Sequence, residues 1–179
     1  TMIKIVLIFA ILTFAVYAFP PMDTTDYCSG FAKEANFTNA QTQDCITCLE
    51  SDESIDWIED DLFDITDINI NSARDVFFYA VYPKEPYGVE CQPHVNNLQA
   101  IYSANKTADQ FLKTIELNIR RKLVPLLLGF ADWRVEEAKG DGYQFGFKEA
   151  HLLGLASGIE SERPTDDGFK HYLRRSFEM

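Results

Sequence analysis

Histidine is scarce in this chain. Only His94, His151 and His171 are present, and none stands in an H-E-x-x-H pattern. There is no G-x-S-x-G either, so neither a zinc-protease helix nor a nucleophile elbow is written into the sequence. A Ser-His-Asp set assembles in space rather than along the chain, but nothing here points to one. Each histidine reads as a surface or helix-end residue, His171 most clearly, as a cation late in its helix.

Basic residues are nearly absent from the first third of the mature-looking chain. Between Met22 and Ile68 there are 13 acidic residues against the single Lys33, a net of −12; from Asn69 to Met179 there are 15 acidic and 14 basic, a net of −1. A polyanion would be repelled by the first segment and finds no large basic stripe elsewhere, which disfavours nucleic-acid binding. The natural complement of the acidic segment is a cationic protein or a cation. Low-complexity tracts and internal repeats are not apparent. With 179 residues, 46% of them hydrophobic, the chain can bury one core.

The first residues, TMIKIVLIFAILTFAVYAFPP, carry one Lys, an apolar run and small residues at Val16 and Ala18. Residues 1–18 read as a signal peptide cut after Ala18, leaving 19–179 as a single helical domain. The alternative is a retained membrane anchor, since about 15 apolar residues reach roughly 23 Å as a helix. Cys28, Cys45, Cys48 and Cys91 then read as two disulfides in a secreted or extracellular protein. Cys45 and Cys48 lie one turn apart on a helix candidate, Asn39 to Leu49, a poor geometry for bonding each other. Cys28 and Cys91 should each take one of them, the pairing left open. Asn36-Phe37-Thr38 and Asn105-Lys106-Thr107 are glycosylation sequons, with Asn36 and Asn105 as acceptors.

The periodicities predict an all-α bundle of about seven helices. Its acidic, disulfide-bearing part is 22–91 and its helical core 92–179. The clearest amphipathic element is Thr107 to Phe130, where Phe111, Ile115, Ile119, Leu123, Leu127 and Phe130 recur at steps of three and four. Thr107 and Gln110 form a capping box, Glu116 and Arg120 an i,i+4 pair, and Pro125 predicts a kink near Arg121. Further helices are expected over Asp23–Ala35, over the acidic block Ser51–Asp67, over Pro93–Ala104, over about Phe147–Ile159 and over Thr165–Phe177. Residues 76–82 fit helix or buried strand, with helix preferred for the Asn71-Ser72 cap. Gly146, Ala150, Gly154 and Gly158, at steps of four, predict a ridge for close helix packing.

Asp60-Asp61-Leu62-Phe63-Asp64 has the spacing by which prenyl-diphosphate enzymes hold Mg²⁺, but the second acidic site is missing and the chain is short for that fold. Asp56, Asp60, Asp61, Asp64 and Asp67 are read instead as an acidic face for a cationic partner or weak Ca²⁺. An EF-hand is excluded because Trp57 stands where Gly is needed. Cys45-Ile46-Thr47-Cys48 lacks the strand that precedes a redox pair, and spacings of 16, 2 and 42 intervening residues lack a second close pair for zinc. Arg120-Arg121-Lys122 and Arg174-Arg175 are dibasic; cleavage at the first would require a helix to open. Cys-x-x-Cys on an early helix resembles saposin-like and insect odorant-carrier proteins in a general way, but neither cysteine spacing matches.

Two functions follow as expectations. The first is a secreted non-enzymatic binding protein holding a hydrophobic small molecule or lipid between helices, through Phe111, Ile115, Ile119, Leu123, Leu127 and Phe130. The alternative is a structural or interaction subunit, anchored if the leader is retained, whose acidic face meets a cationic partner or calcium. No cofactor is expected, and an enzyme ranks third for want of a constellation.

Overall fold

The computed structural model describes residues 22–51, 70–83 and 87–159. Among them the chain is all helical: α1 (Thr24–Ala35), α2 (Asn39–Leu49), α3 (Ile70–Val81), α4 (Gln92–Leu98), α5 (Ala108–Arg121), α6 (Leu123–Lys139) and α7 (Gly142–Ser157). A 3₁₀ turn, Val89–Cys91, leads into α4, and a wider π turn, Gln99–Ser103, continues it. The acidic block with Asp56, Asp60, Asp61, Asp64 and Asp67, and the helix expected over Thr165–Phe177, lie outside the described residues.

The ambiguous run at 76–82 is helical as far as Val81, where α3 ends. Its Phe77 packs on Phe130 with ring centroids 5.3 Å apart, and Phe78 stacks on Tyr82 at 5.4 Å. Helix α5 carries the predicted capping box, with Thr107 accepting from the Gln110 amide and Gln110 reaching back. Phe111, Ile115 and Ile119 are 0–1% exposed. Burying each contributes about 1.5–3 kcal/mol relative to exposure.

The element predicted to run unbroken through a kink to Phe130 is two helices. At Lys122 the backbone leaves the helical region, at φ −115° and ψ 28°. Pro125 has no N–H to bond the Arg121 carbonyl, and its ring would crowd that turn. Restarting the helix at Leu123 puts Pro125 in a first turn, where the missing donor costs nothing. The second helix runs on to Lys139, well past Phe130, and ends at Gly140 with φ 70°.

Helix α7 begins at Gly142, five residues before the expected Phe147. Gly140-Asp141-Gly142 ends one helix, α6. It also starts one, because the Asp141 carboxylate accepts from the Gln144 amide at 3.0 Å as an N-cap. Helix α7 packs against α1, α5, α6 and the π turn, and among the described residues its contact with α1 is the most extensive between helices. Contacts of Gly142 with Asp23, Gly146 with Tyr27 and His151 with Glu34 advance together along both helices, so α1 and α7 are parallel.

The predicted small-residue ridge is explained at Gly146 and Ala150. A Cβ on Gly146 would overlap the Tyr27 carbonyl and come within 3.1 Å of the Phe31 nitrogen; a Cβ on Gly30 of α1 would overlap the Tyr143 carbonyl. Each helix thus receives a tyrosine carbonyl of the other in a glycine notch. Ala150 is 2% exposed and accepts a hydrogen bond from Tyr102 at 3.2 Å. Gly154 does not serve this contact, and Gly158 is a C-cap at φ 77°.

The disulfides are Cys28–Cys45, joining α1 to α2, and Cys48–Cys91, joining α2 to the 3₁₀ turn. Cys28 and Cys91 each take one member of the Cys45/Cys48 pair, as the one-turn spacing required. All four are 0% exposed.

Two outcomes are expected in urea unfolding. Gly146→Ala should lower stability by about 1–3 kcal/mol through overpacking, whereas Gly154→Ala should raise it by about 0.5–1 kcal/mol through helix propensity. With separations of 17 and 43 residues, the chain-entropy relation assigns about 3 kcal/mol to Cys28–Cys45 and about 4 kcal/mol to Cys48–Cys91. Removing the second pair with serines should therefore lower the midpoint more than removing the first.

Candidate functional site

The six apolar residues expected to face a ligand do not share one environment. Phe111, Ile115 and Ile119 are sealed in the core. Leu127 and Phe130 are half-buried, with Phe130 held between Phe77 and Trp133. Leu123 is 39% exposed beside Val124 at 61%, so the break at Lys122 turns the start of α6 outward. Around the sealed part, aromatic rings touch in a chain from Phe77 through Phe130, Trp133, Phe145 and Tyr27 to Phe31.

A half-buried polar layer between α1 and α7 was not anticipated. Tyr27 donates its hydroxyl proton to Glu149 Oε2 at 2.9 Å, across 122 residues of sequence. Two turns further along α1, Glu34 Oε1 lies 2.9 Å from His151 Nδ1. No local motif marks these pairs, since each forms only when α1 and α7 meet. Burial pushes Glu149 up to about 7, with the negative charge of Glu137 in the same direction and the Tyr27 hydrogen bond opposing. Burial likewise raises Tyr27 well above the usual phenol range, with Glu149 adding to it. Tyr102 is raised by burial too.

On α6, Glu136 and Glu137 are both 7% exposed but differ in company. Burial raises Glu136, yet hydrogen bonds from Lys148 at 2.9 Å and Lys139 at 3.1 Å outweigh it and leave it below the usual carboxylate range. Glu137 is raised by burial against the opposing charge of Arg134, 2.5 Å away. Lys148 also meets Asp132 at 2.7 Å, tying α6 to α7.

His94, expected at the surface, is 5% exposed. Phe31 and Phe37 present their rings edge-on at 6.3 and 6.2 Å, and burial lowers its titration to about 4 despite the nearby Asp44. Among the described residues, its Nδ1 and the Trp133 Nε1 are buried without hydrogen-bond partners. His151, also expected outside, is half-buried in its pair with Glu34. His171 lies outside the described residues.

Chemically, the polar layer is a place to hold a proton rather than a nucleophile. The Ser103 and Ser157 hydroxyls donate to the backbone carbonyls of Gln99 and Leu153, and His151 turns to Glu34. Among the described residues, no three His, Cys, Asp or Glu side chains gather as a metal site.

Both sequon asparagines are exposed and left-handed, Asn36 at φ 56° and Asn105 at φ 64°. In each case the sequon threonine caps the next helix and is bridged by a glutamine three residues on, Thr38 with Gln41 and Thr107 with Gln110. The short pattern N-x-T-x-x-Q therefore recurs as one turn type, at residues 36–41 and 105–110.

Two titrations of opposite sign follow. Between about 4.5 and 7 the folded chain keeps the Glu149 proton that the unfolded chain releases, so stability falls as pH rises. Between about 6.5 and 4 the unfolded chain protonates His94 while the folded chain does not, so stability falls as pH falls. Each is worth on the order of 3 kcal/mol, and in the overlap they nearly cancel. Urea unfolding across pH should show Glu149→Gln gaining stability from pH 4 to 6.5, and His94→Gln losing it from 4.5 to 7.

Comparison of the chain with protein-family models, with characterised proteins and with solved structures gives no match.

Proposed function

We propose that this protein is an interaction protein of the secretory route that binds through its outer surface rather than through an interior cavity. The observation that carries the reading is the division of the apolar residues at the end of α5. Phe111, Ile115 and Ile119 are closed off by their neighbours, while Leu123 and Val124 face out. A hydrophobic small molecule or lipid lodged between the helices would have to displace side chains that already fill that space, at a cost comparable to opening a core.

The compartment has its own support. Two disulfides point to an oxidising environment, and the N-terminal run reads as a signal peptide. Among the described residues, no helix is long and apolar enough to cross a membrane. Asn36 and Asn105 stand exposed at turns, where a glycan adds bulk without entering the core. Glycosylation at both belongs to this reading.

Organic extraction of the purified protein, followed by mass spectrometry, tests it. The expected result is no stoichiometric apolar ligand; one lipid or small molecule per chain would overturn the outer-surface reading. Intact mass of protein secreted from a eukaryotic host should fall on amide-directed deglycosylation by two glycans, and by one in Asn36→Gln or Asn105→Gln.

A further inference from the structure

We infer that the outward ridge of α5 and the shoulder where α6 begins form a docking surface for an anionic lipid bilayer, with Leu117, Leu123 and Val124 entering the headgroup layer between Lys113, Arg120 and Arg121. The inference deepens the outer-surface reading and rests on it.

The ridge follows from the helix period. Lys113, Leu117, Arg120 and Arg121 stand at i, i+4, i+7 and i+8, on the side of α5 opposite the buried Phe111, Ile115 and Ile119. Leu117 is 47% exposed and the Arg120 side chain 62%. Just past the break, Leu123, Val124 and Pro125 are exposed in succession. The sequence puts four cations, Lys113, Arg120, Arg121 and Lys122, against the single Glu116 between residues 113 and 122, a net of +3 in a chain of net −12. Glu116 is engaged by Arg120 at 2.6 Å. At physiological salt the Debye length is about 8 Å, so a surface approaching this ridge meets its local sign rather than the chain's total.

Charge complementarity makes the partner anionic, and the apolar residues choose among anionic partners. A protein partner is typically held by Trp, Tyr or Arg anchors seated in pockets. Here the exposed apolar residues, Leu117, Leu123 and Val124, are aliphatic, and the long cationic side chains near them in sequence can lay their stems along a surface and lift their charges to phosphates. A plane of acidic headgroups over hydrocarbon suits that order of groups, and it demands no fixed stereochemistry.

The test is co-sedimentation of the full-length protein with phosphatidylcholine vesicles, with and without phosphatidylserine. The apolar run near the N-terminus would carry the chain to both vesicle types alike, so the readout is the difference between them. Binding should favour the phosphatidylserine vesicles and weaken as salt rises. At about 1 kcal/mol per cation near an anionic surface, Arg120→Gln with Arg121→Gln should cut that preference roughly 30-fold. Leu123→Ser with Val124→Ser should also weaken it, and urea midpoints of both double variants should stay near the parent's, since the residues face out. Equal partition to both vesicle types, no partition, or selectivity that survives both double variants would overturn the inference. Capture of an acidic protein domain in place of vesicles would overturn it too, while leaving the outer-surface reading intact; that reading fails separately, by extraction of a stoichiometric ligand.

Discussion

The close approach of α1 and α7 is the contact on which most of the remaining structure depends. Two glycines, Gly30 and Gly146, remove the side chains that would otherwise hold the helices apart, and each notch is filled by a backbone carbonyl of the other helix. Glycine in a helix interior costs about 1 kcal/mol against alanine, and here the return is an interhelical distance that no larger residue permits. At that distance Phe31 and Phe145 enter one core, and Ala150 becomes a wall against which Tyr102 can donate its proton.

The same approach creates the half-buried polar layer. Tyr27 and Glu34 sit two turns apart on α1, and the parallel register with α7 brings them to Glu149 and His151. A carboxyl enclosed this way disfavours its charge, which is why Glu149 holds its proton to about 7. The neighbouring α6 resolves the same problem differently. Lys148 and Lys139 compensate Glu136 and hold it below the usual carboxylate range, whereas burial outweighs the opposing charge of Arg134 at Glu137 and raises it. A buried acid and the buried His94 then act on stability in opposite directions over nearly the same pH range.

From α1 the structure extends outward by covalent ties. Helix α2 shares no residue with the main hydrophobic cluster, yet its Cys45 and Cys48 are fully buried by their bridges to α1 and to the turn before α4. The short α4 is further held by Gln41 and Asp44 of α2, which bond Asn97 at 3.3 and 2.8 Å. Two disulfides therefore do for the acidic end what apolar packing does for α5, α6 and α7.

Much of this was legible in the residues alone. Helical class, the face of α5 that is buried, its capping box, the ion pair of Glu116 with Arg120 and the rule that Cys45 and Cys48 seek outside partners all follow from periods and spacings within one or two turns. Such features depend on neighbours along the chain, and a sequence displays those directly. What it could not display was which helix would be central, that Pro125 would divide a helix and turn Leu123 and Val124 to the outside, or that His94 would be buried. Those outcomes depend on contacts between residues far apart in the chain, such as Tyr27 with Glu149, and burial rather than local pattern sets the charge each group carries. The sequence by itself determined the helices and the compartment their cysteines suit; only the tertiary structure decided which apolar residues are enclosed, because closing a core is a property of all the faces that meet in it.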